Sequence, residues 1–333
     1  MSNPIVSVIM PAFNCAEFVE KAIESIVRQT YQSIELLVAD DASTDETWPR
    51  IAALASRDKR IRPFKNLSNK GYLQTCADLV ARATGEFIAF QDADDWSYEN
   101  RIAAQLEFLK KHRNIGACGT NFVRFADNRY VRSSHYPTDP SEIRRNIFVG
   151  RVFVCGATVM ARREVFEKVG FYRTFFDRIG GEHHDWIARI SDKFDVSNIS
   201  DVLYVYRAVE GSITAGAKSP RSYGAGSIIA YLTEQRIRYG GDGVDGVQKT
   251  EFESFLVEID RRFSAPCFPV RHNILMALQD GRIGRALRHW RTMLVHWPLA
   301  RETWVMLARV ILAISPEISE MIENIYVSVK GKS

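Results

Sequence analysis

The sequence predicts an α/β fold: a mostly parallel, doubly wound sheet followed by a C-terminal helical region. Three observations carry this. Over the first hundred residues, short β-branched runs alternate with amphipathic stretches in the order β-α-β-α-β-α-β, the pattern of a sheet wound with crossover helices. Three of those strands stop on polar side chains, at Asn14, at Asp40-Asp41 and at Asp92. In open sheets of this kind, ligands bind beyond the carboxyl ends of the strands. From about residue 216 the strand signals cease and everything reads as helix. The chain is therefore expected to divide into an α/β unit, 1–215, and a helical region, 216–333.

The elements follow in order. Residues 5–10 form an apolar run ended by Pro11. Residues 16–29 place Phe18, Ala22, Ile26 and Val27 on one helical face. Residues 34–39 read as a second strand and 61–65 as a third. Between them a helix over 47–56 is expected, with Ser43 or Thr44 as its cap and acids in its first turn. A helix over 72–83, closed by Gly85, leads to a fourth strand, 87–90, which runs into Asp92-Ala93-Asp94-Asp95. A helix over 100–112, a strand over 116–125, an irregular stretch through Pro137 and Pro140, and a strand over 152–160 come next. A short helix over 163–169 capped by Gly170, a helix over 182–193 after Gly180-Gly181, and a last strand over 202–206 complete the α/β unit. The Gly/Ala/Ser-rich stretch 211–227 reads as a linker or mobile loop.

Composition narrows the function classes. With 46% hydrophobic and 25% charged residues the 333-residue chain is globular, not disordered. A net charge of +4 gives no argument for nucleic acid. The five cysteines include no CxxC pair, which points to a reducing compartment. No run of about 18 apolar residues occurs and the N-terminus lacks a signal-peptide pattern, so a cytoplasmic protein is expected.

The acidic turn 92–95 carries the chemistry. Mg2+ and Mn2+ take carboxylate oxygens, often only one or two, with phosphates and water filling the shell. In an extended segment, side chains two apart point the same way, so Asp92 and Asp94 can face one ion. A solvated turn capping the next helix would leave the same trace. Asp40-Asp41 offers a second strand-end carboxylate able to accept a hydrogen bond from a nucleobase N–H, or a simple turn.

Several ordered motifs resemble glycosyltransferase family 2. They are P-A-F-N at 11–14, V-A-D-D-A-S-T-D at 38–45, N-K-G at 69–71, A-T-G-E-F-I-A-F-Q-D-A-D-D at 83–95 and G-A-T-V-M-A-R-R-E-V-F-E-K-V-G at 156–170. The resemblance covers roughly residues 4–215 and implies the A-type nucleotide-sugar fold, with 1–215 as the nucleotide-sugar-binding catalytic domain. It implies that Pro11, Ala12, Phe13 and Asn14 line the nucleotide pocket, that Asp41 reads the base, and that Lys65, Asn69, Lys70 and Gly71 border base and ribose. Asp92, with Ala93, would contact the ribose or the metal-bound water, Asp94 would ligate Mn2+ or Mg2+, and Arg207 would reach the diphosphate. The family's usual glycine in the turn after Asp41 is Ala42 here, and its usual asparagine on the following helix is Ala77.

The proton acceptor is less plain. The family's late helix usually opens with Glu-Asp, whereas this chain has Glu182-His183-His184-Asp185 before Trp186 and Arg189. Aligned on Arg189, His183 occupies the position of the base. Asp185, His183 and Glu182 compete for the role in that order. Asp185 could instead only pair with Arg189 at i+4. As the base, Asp185 would lose transfer but not nucleotide affinity when changed to Asn.

Residues 282–309 hold six arginines against one acid, Glu302, with Trp290, Trp297 and Trp304 interleaved. Such a stretch suits an anionic membrane surface, on the inner face of the cell membrane, or is an ordinary amphipathic helix packed on the α/β unit. The resulting expectation is an inverting, metal-dependent transferase of hexosyl or N-acetylhexosaminyl type. It would move a sugar from a nucleotide sugar, UDP-linked first, to a glycan or lipid-linked glycan acceptor in bacterial-type polysaccharide synthesis. The rival is a nucleotide-sugar-binding module without turnover. A nucleotidyltransferase lacks its Gly-rich phosphate loop here.

Overall fold

The structure is a computed structural model that describes residues 5–208 and 219–314. Its strands are β1 (Val6–Ala12), β2 (Ile34–Asp40), β3 (Ile61–Lys65), β4 (Phe87–Phe90), β5 (Trp96–Ser97), β6 (Ile115–Ala126), β7 (Arg129–Ser133), β8 (Met160–Arg162) and β9 (Asp195–Arg207). Its helices are α1 (Ala16–Val27), α2 (Thr47–Ala55), α3 (Tyr72–Arg82), α4 (Arg101–Lys111), α5 (Pro140–Phe148), α6 (Arg163–Val169), α7 (Glu182–Ser191), α8 (Pro220–Tyr223), α9 (Ala225–Tyr239), α10 (Lys249–Phe263), α11 (Cys267–Gln279), α12 (Ile283–His296) and α13 (Arg301–Ile314).

Among the described residues the strands form one sheet in the order β3-β2-β1-β4-β8-β6-β9-β5, with β7 paired to β6. The first four strands are parallel, as the alternating pattern requires. Beyond β4 the sheet is mixed: β8 runs antiparallel to β4 and β6, β9 runs parallel to β6, and β5 closes the edge antiparallel to β9. Alternate residues of each buried strand face opposite sides. Ile9, Leu37, Ile88 and Phe90 pack with α3, α7, α9 and α10. Val8, Met10, Leu36 and Ala89 pack with α1, α2 and α4 on the other face. A separate cluster holds α11, α12 and α13 together through Phe268, Ile274, Met293, Met306 and Val310.

Several local expectations are corrected. The stretch 152–160 is not one strand. It turns through a 3-10 helix at Gly156–Thr158 before β8, because Thr158 Oγ1 donates to the carbonyls of Cys155 and Thr120. The irregular stretch contains β7 and α5, the latter capped by Asp139, which accepts from Ser141 N, with Pro140 in the first turn. Gly85 does not close α3; Ala83 already leaves the helix in an extended conformation. A Cβ at Gly85 would meet Ile5 O at 2.6 Å and Ser7 N at 2.7 Å, so the glycine admits a close passage against β1. Residues 220–223 and 225–239 are helical where a linker is expected; the rest of that stretch, 211–218, lies outside the described residues. No described helix is long and apolar enough to cross a membrane.

Candidate functional site

The register brings the polar strand ends abreast. Ala12 pairs with Asp40, and Ile9 pairs with Phe90, two residues before Asp92. The loops after β1 and β2 are stitched together: Asn14 N donates to Ser43 Oγ at 2.9 Å and Thr44 N donates to Asn14 Oδ1 at 2.8 Å. Ser43 and Thr44 are therefore committed to this bridge instead of capping a helix. The helix starts later, at Thr47, whose N–H and hydroxyl both donate to Asp45 Oδ1. Ala42 holds φ +61°, the left-handed conformation in which the family's usual residue is glycine. An L side chain there costs roughly 1–2 kcal/mol, so the turn's shape is kept despite the substitution.

Pro11 and Ala12 close β1, and Phe13 stands about half exposed beside Asn14. Asp41 is almost fully buried and its carboxylate is occupied. It accepts from Asn66 Nδ2 at 2.7 Å, Lys70 N at 2.9 Å and Gly71 N at 2.9 Å. It thus holds the 69–71 loop against β2. Its neighbour Asp40 is fully buried with Oδ2 unpartnered, an acceptor that the expectation centred on Asp41 passed over. Lys65 is turned outward, its ammonium 5.4 Å from the Trp48 ring. Asn69, Lys70, Gly71 and Tyr72 line a cleft of about 1140 Å3 together with Asp92, Glu182 and His183.

The acidic turn reaches this cleft through Asp92. Oxygens of Asp92, Asp94 and Asp95 all lie within 4.8 Å of one another. Asp95 is the anchored member: it accepts from Arg207 N at 2.6 Å, and the Tyr204 hydroxyl donates to it. Tyr204 also accepts from Asp92 N at 3.2 Å and Gln91 Nε2 at 3.3 Å. Ala93 is buried in the core behind the turn. Burial, then the charge of Asp94, pushes the Asp92 carboxyl up to about 7; burial also raises Asp94 and Asp95. Asp94 interacts with Cys15 and Arg207, Asp92 with Glu182 and His183. The cluster therefore spans from the loop after β1 to the N-terminus of α7. The Arg207 guanidinium stacks 3.9 Å over Phe18, and its buried Nε has no hydrogen-bond partner.

Arg101, which belongs to none of the sequence motifs, supports the turn from behind. It is fully buried and donates to the carbonyls of Phe90 and Ala157 at 3.0 and 3.3 Å. Burial lowers its pKa to about 10, and its charge favours ionised Asp92. A cation in the first turn of a helix opposes the helix dipole; that misfit is the signal that could have found it.

The three candidate bases separate. Glu182 and His183 open α7 on the cleft, with His183 Nδ1 3.6 Å from Glu182 Oε1. Gly156 lies flat against the His183 ring, where a Cβ would come within 2.7 Å. Asp185 faces away. It is fully buried and accepts from Arg173 Nε and Arg189 Nε, each at 3.0 Å, and from Arg173 Nη2. Arg173 continues to Asp242, which Arg236 also holds. Burial pushes the Asp242 carboxyl up, but hydrogen bonds from Arg173 and Arg236 outweigh it and leave the group below its ordinary value. Asp185, placed first among the candidate bases, has both its oxygens bonded to guanidinium groups outside the cleft. His184 is structural as well, its Nε2–H donating to Val154 O at 3.2 Å while burial depresses its pKa well below the ordinary value.

Comparison with known proteins identifies the family and the fold. The family model for glycosyl transferase family 2 matches residues 7–170. The putative glycosyltransferase EpsE of Bacillus subtilis is 35% identical over 209 residues, 62% of this chain and 74% of that protein. An Escherichia coli relative named UDP-Glc:alpha-D-GlcNAc-diphosphoundecaprenol beta-1,3-glucosyltransferase WfaP is 28% identical over 213 residues, 63% of this chain and 80% of its own. The fold matches S. aureus TarS 1-349 in complex with UDP-GlcNAc, with a TM-score of 0.57 at 16% identity over 86% of this chain and 89% of that one. It also matches the Pyrobaculum calidifontis mannosyltransferase PcManGT in complex with GDP-Man and Mn2+, with a TM-score of 0.55 at 19% identity over 93% and 86%. With the Bacillus subtilis relative 35% identical and covered over 74% of its length, and the acidic turn at the expected strand end, the chain belongs to glycosyltransferase family 2.

Proposed function

We propose that the chain transfers a hexosyl or N-acetylhexosaminyl group, with inversion, from a UDP-sugar to a hydroxyl of a glycan or lipid-linked glycan in polysaccharide synthesis. The observation that carries this is the acidic turn, whose Asp92 lines a cleft that Glu182 and His183 also line. The name of the E. coli relative points the same way for donor and acceptor class. The catalytic work is assigned to 1–215, and the segment after it is helical over its described residues, 220–314. All five cysteines are unpaired, in keeping with a reducing cytoplasm.

The donor set suits a hard divalent cation. Asp92 and Asp94 supply oxygen ligands, while Asp95 is committed to Arg207 N and Tyr204. When bound, Mn2+ or Mg2+ would neutralise charge on the departing diphosphate. Arg207, whose charge interacts with Asp94 and Asp95, would add a cationic donor to the same phosphates. Asp40 Oδ2 or Asp41 would accept the base N–H, and the 69–71 loop would border the ribose.

In the reaction the acceptor oxygen forms a bond to the anomeric carbon as that carbon's bond to the diphosphate oxygen breaks. The acceptor's proton passes to Glu182, and the nucleoside diphosphate leaves. His183, held flat by Gly156, orients Glu182 and the acceptor. The test is UDP release from a panel of UDP-sugars with Mn2+. Glu182→Gln should cost about a hundredfold or more in turnover with UDP affinity retained, and Asp94→Asn should cost both. An active Glu182→Gln beside a dead His183→Ala would move the base to His183. Tight UDP binding with no release from any donor would instead identify a binding module.

A further inference from the structure

The helical cluster α11–α13 both walls the cleft and carries a basic, apolar outer face; we infer that this face seats the protein on an anionic lipid surface. The stripe read in the sequence is sorted by the fold. Trp290 turns inward, its Nε1–H donating to Thr303 O at 3.1 Å, and Trp297 packs on the same cluster. Arg282 is taken by Asp127 on the β6–β7 hairpin, through bonds of 2.8 and 2.5 Å. Outward stand Leu287, Val295, Leu299, Trp304, Val305 and Ile311, with Val295 67% and Leu299 97% exposed. Trp304 bonds its indole N–H to Pro298 O at 2.9 Å, so its ring is exposed without an unsatisfied donor.

Among these apolar groups are Arg288, Arg291, Arg301 and Arg309, none with an ion-pair partner among the described residues. Helical spacing puts Arg288, Arg291 and Val295 on one face of α12, and Arg301, Trp304, Val305 and Arg309 on one face of α13. Cations flanking exposed aliphatic and indole groups match an anionic headgroup layer over acyl chain. A second copy docking symmetrically would oppose arginine to arginine, which argues against the face as a dimer seam.

The cluster is fixed to the catalytic unit. Arg124 of β6 binds Asp280 at 2.6 Å, both side chains largely buried, beside the Arg282–Asp127 pair. Met276 and Gln279 of α11 line the same cleft as Asp92 and His183. A lipid surface under α12 and α13 would thus lie next to the cleft wall. The seat itself does not depend on the transferase reading; its use, to present a lipid-linked acceptor, rests on it.

The test is co-sedimentation of the full chain with phosphatidylglycerol-containing vesicles against pure phosphatidylcholine vesicles, alongside UDP release in vesicle-free solution. Binding should require the anionic lipid and weaken with salt. At about fivefold per neutralised arginine, Arg288→Gln with Arg291→Gln should lower partitioning roughly twenty-five-fold, and Trp304→Ser should lower it further. Solution UDP release should stay unchanged in these variants. Equal binding to both vesicle types, no binding, insensitivity to the substitutions, or a dimer that loses its partner when they are made would each overturn the inference. Loss of UDP release in the unmodified chain would count against the transferase reading alone.

Discussion

Asp185→Asn distinguishes a chemical from a mechanical role for the buried acid of α7. In the structure Asp185 receives three hydrogen bonds from two guanidinium groups and is fully buried. Breaking a buried ion pair by removing one partner typically costs 3–5 kcal/mol. The lower end applies, because Arg173 keeps two bonds to Asp242 and Arg189 keeps the carbonyls of Val169 and Phe171, and because Asn retains one acceptor. A loss of about 3 kcal/mol, set against an unfolding entropy of roughly 0.7 kcal/mol/K for a chain of this length, lowers Tm by about 4 °C. The variant should melt early by that amount in a thermal scan. Assayed well below its melting point, it should lose less than about tenfold in UDP release, whereas removing a general base costs about a hundredfold or more. A variant as stable as the parent yet inactive would refute the mechanical reading and return the proton to Asp185.

The other predictions are smaller in scope. Gly156→Ala places a methyl within 2.7 Å of the His183 ring. Overpacking of this kind costs about 1–3 kcal/mol, and because the ring fronts the cleft, turnover should fall while UDP affinity, measured by calorimetry, holds. The lowered Asp242 pKa gives a pH signature. A carboxyl depressed by folding stabilises fully above its unfolded value near pH 4 and loses that contribution as the pH falls through the depressed value. Tm should therefore hold level from neutral pH toward about pH 5 and then decline, with a shallower decline in Asp242→Asn; an identical acid limb in that variant would remove Asp242 from the stabilising set.

The parallel half of the sheet was legible because each strand there is a short buried run with a polar stop, and 61–65 and 87–90 coincide with β3 and β4. What the pattern could not carry was bonding between distant segments. The run 152–160 has strand composition, yet Thr158 answers to Thr120, a residue on another strand. Asp139-Pro140 carries a readable helix start, a capping carboxylate followed by proline in the first turn. The site divides the same way. The acidic turn could be placed by its strand, but which of Glu182, His183 and Asp185 faces the cleft depends on how a helix is turned. The i+4 spacing to Arg189 was visible; that the pair would be buried and joined through Arg173 to Asp242 was not, since Arg173 and Asp242 lie 69 positions apart. That network gives a physical reason for the departure at His183. The acid at 185 is spent fastening α7 to the segment after α9, and on the function proposed above the chemistry falls to the helix's first turn, where Glu182 and His183 line the cleft.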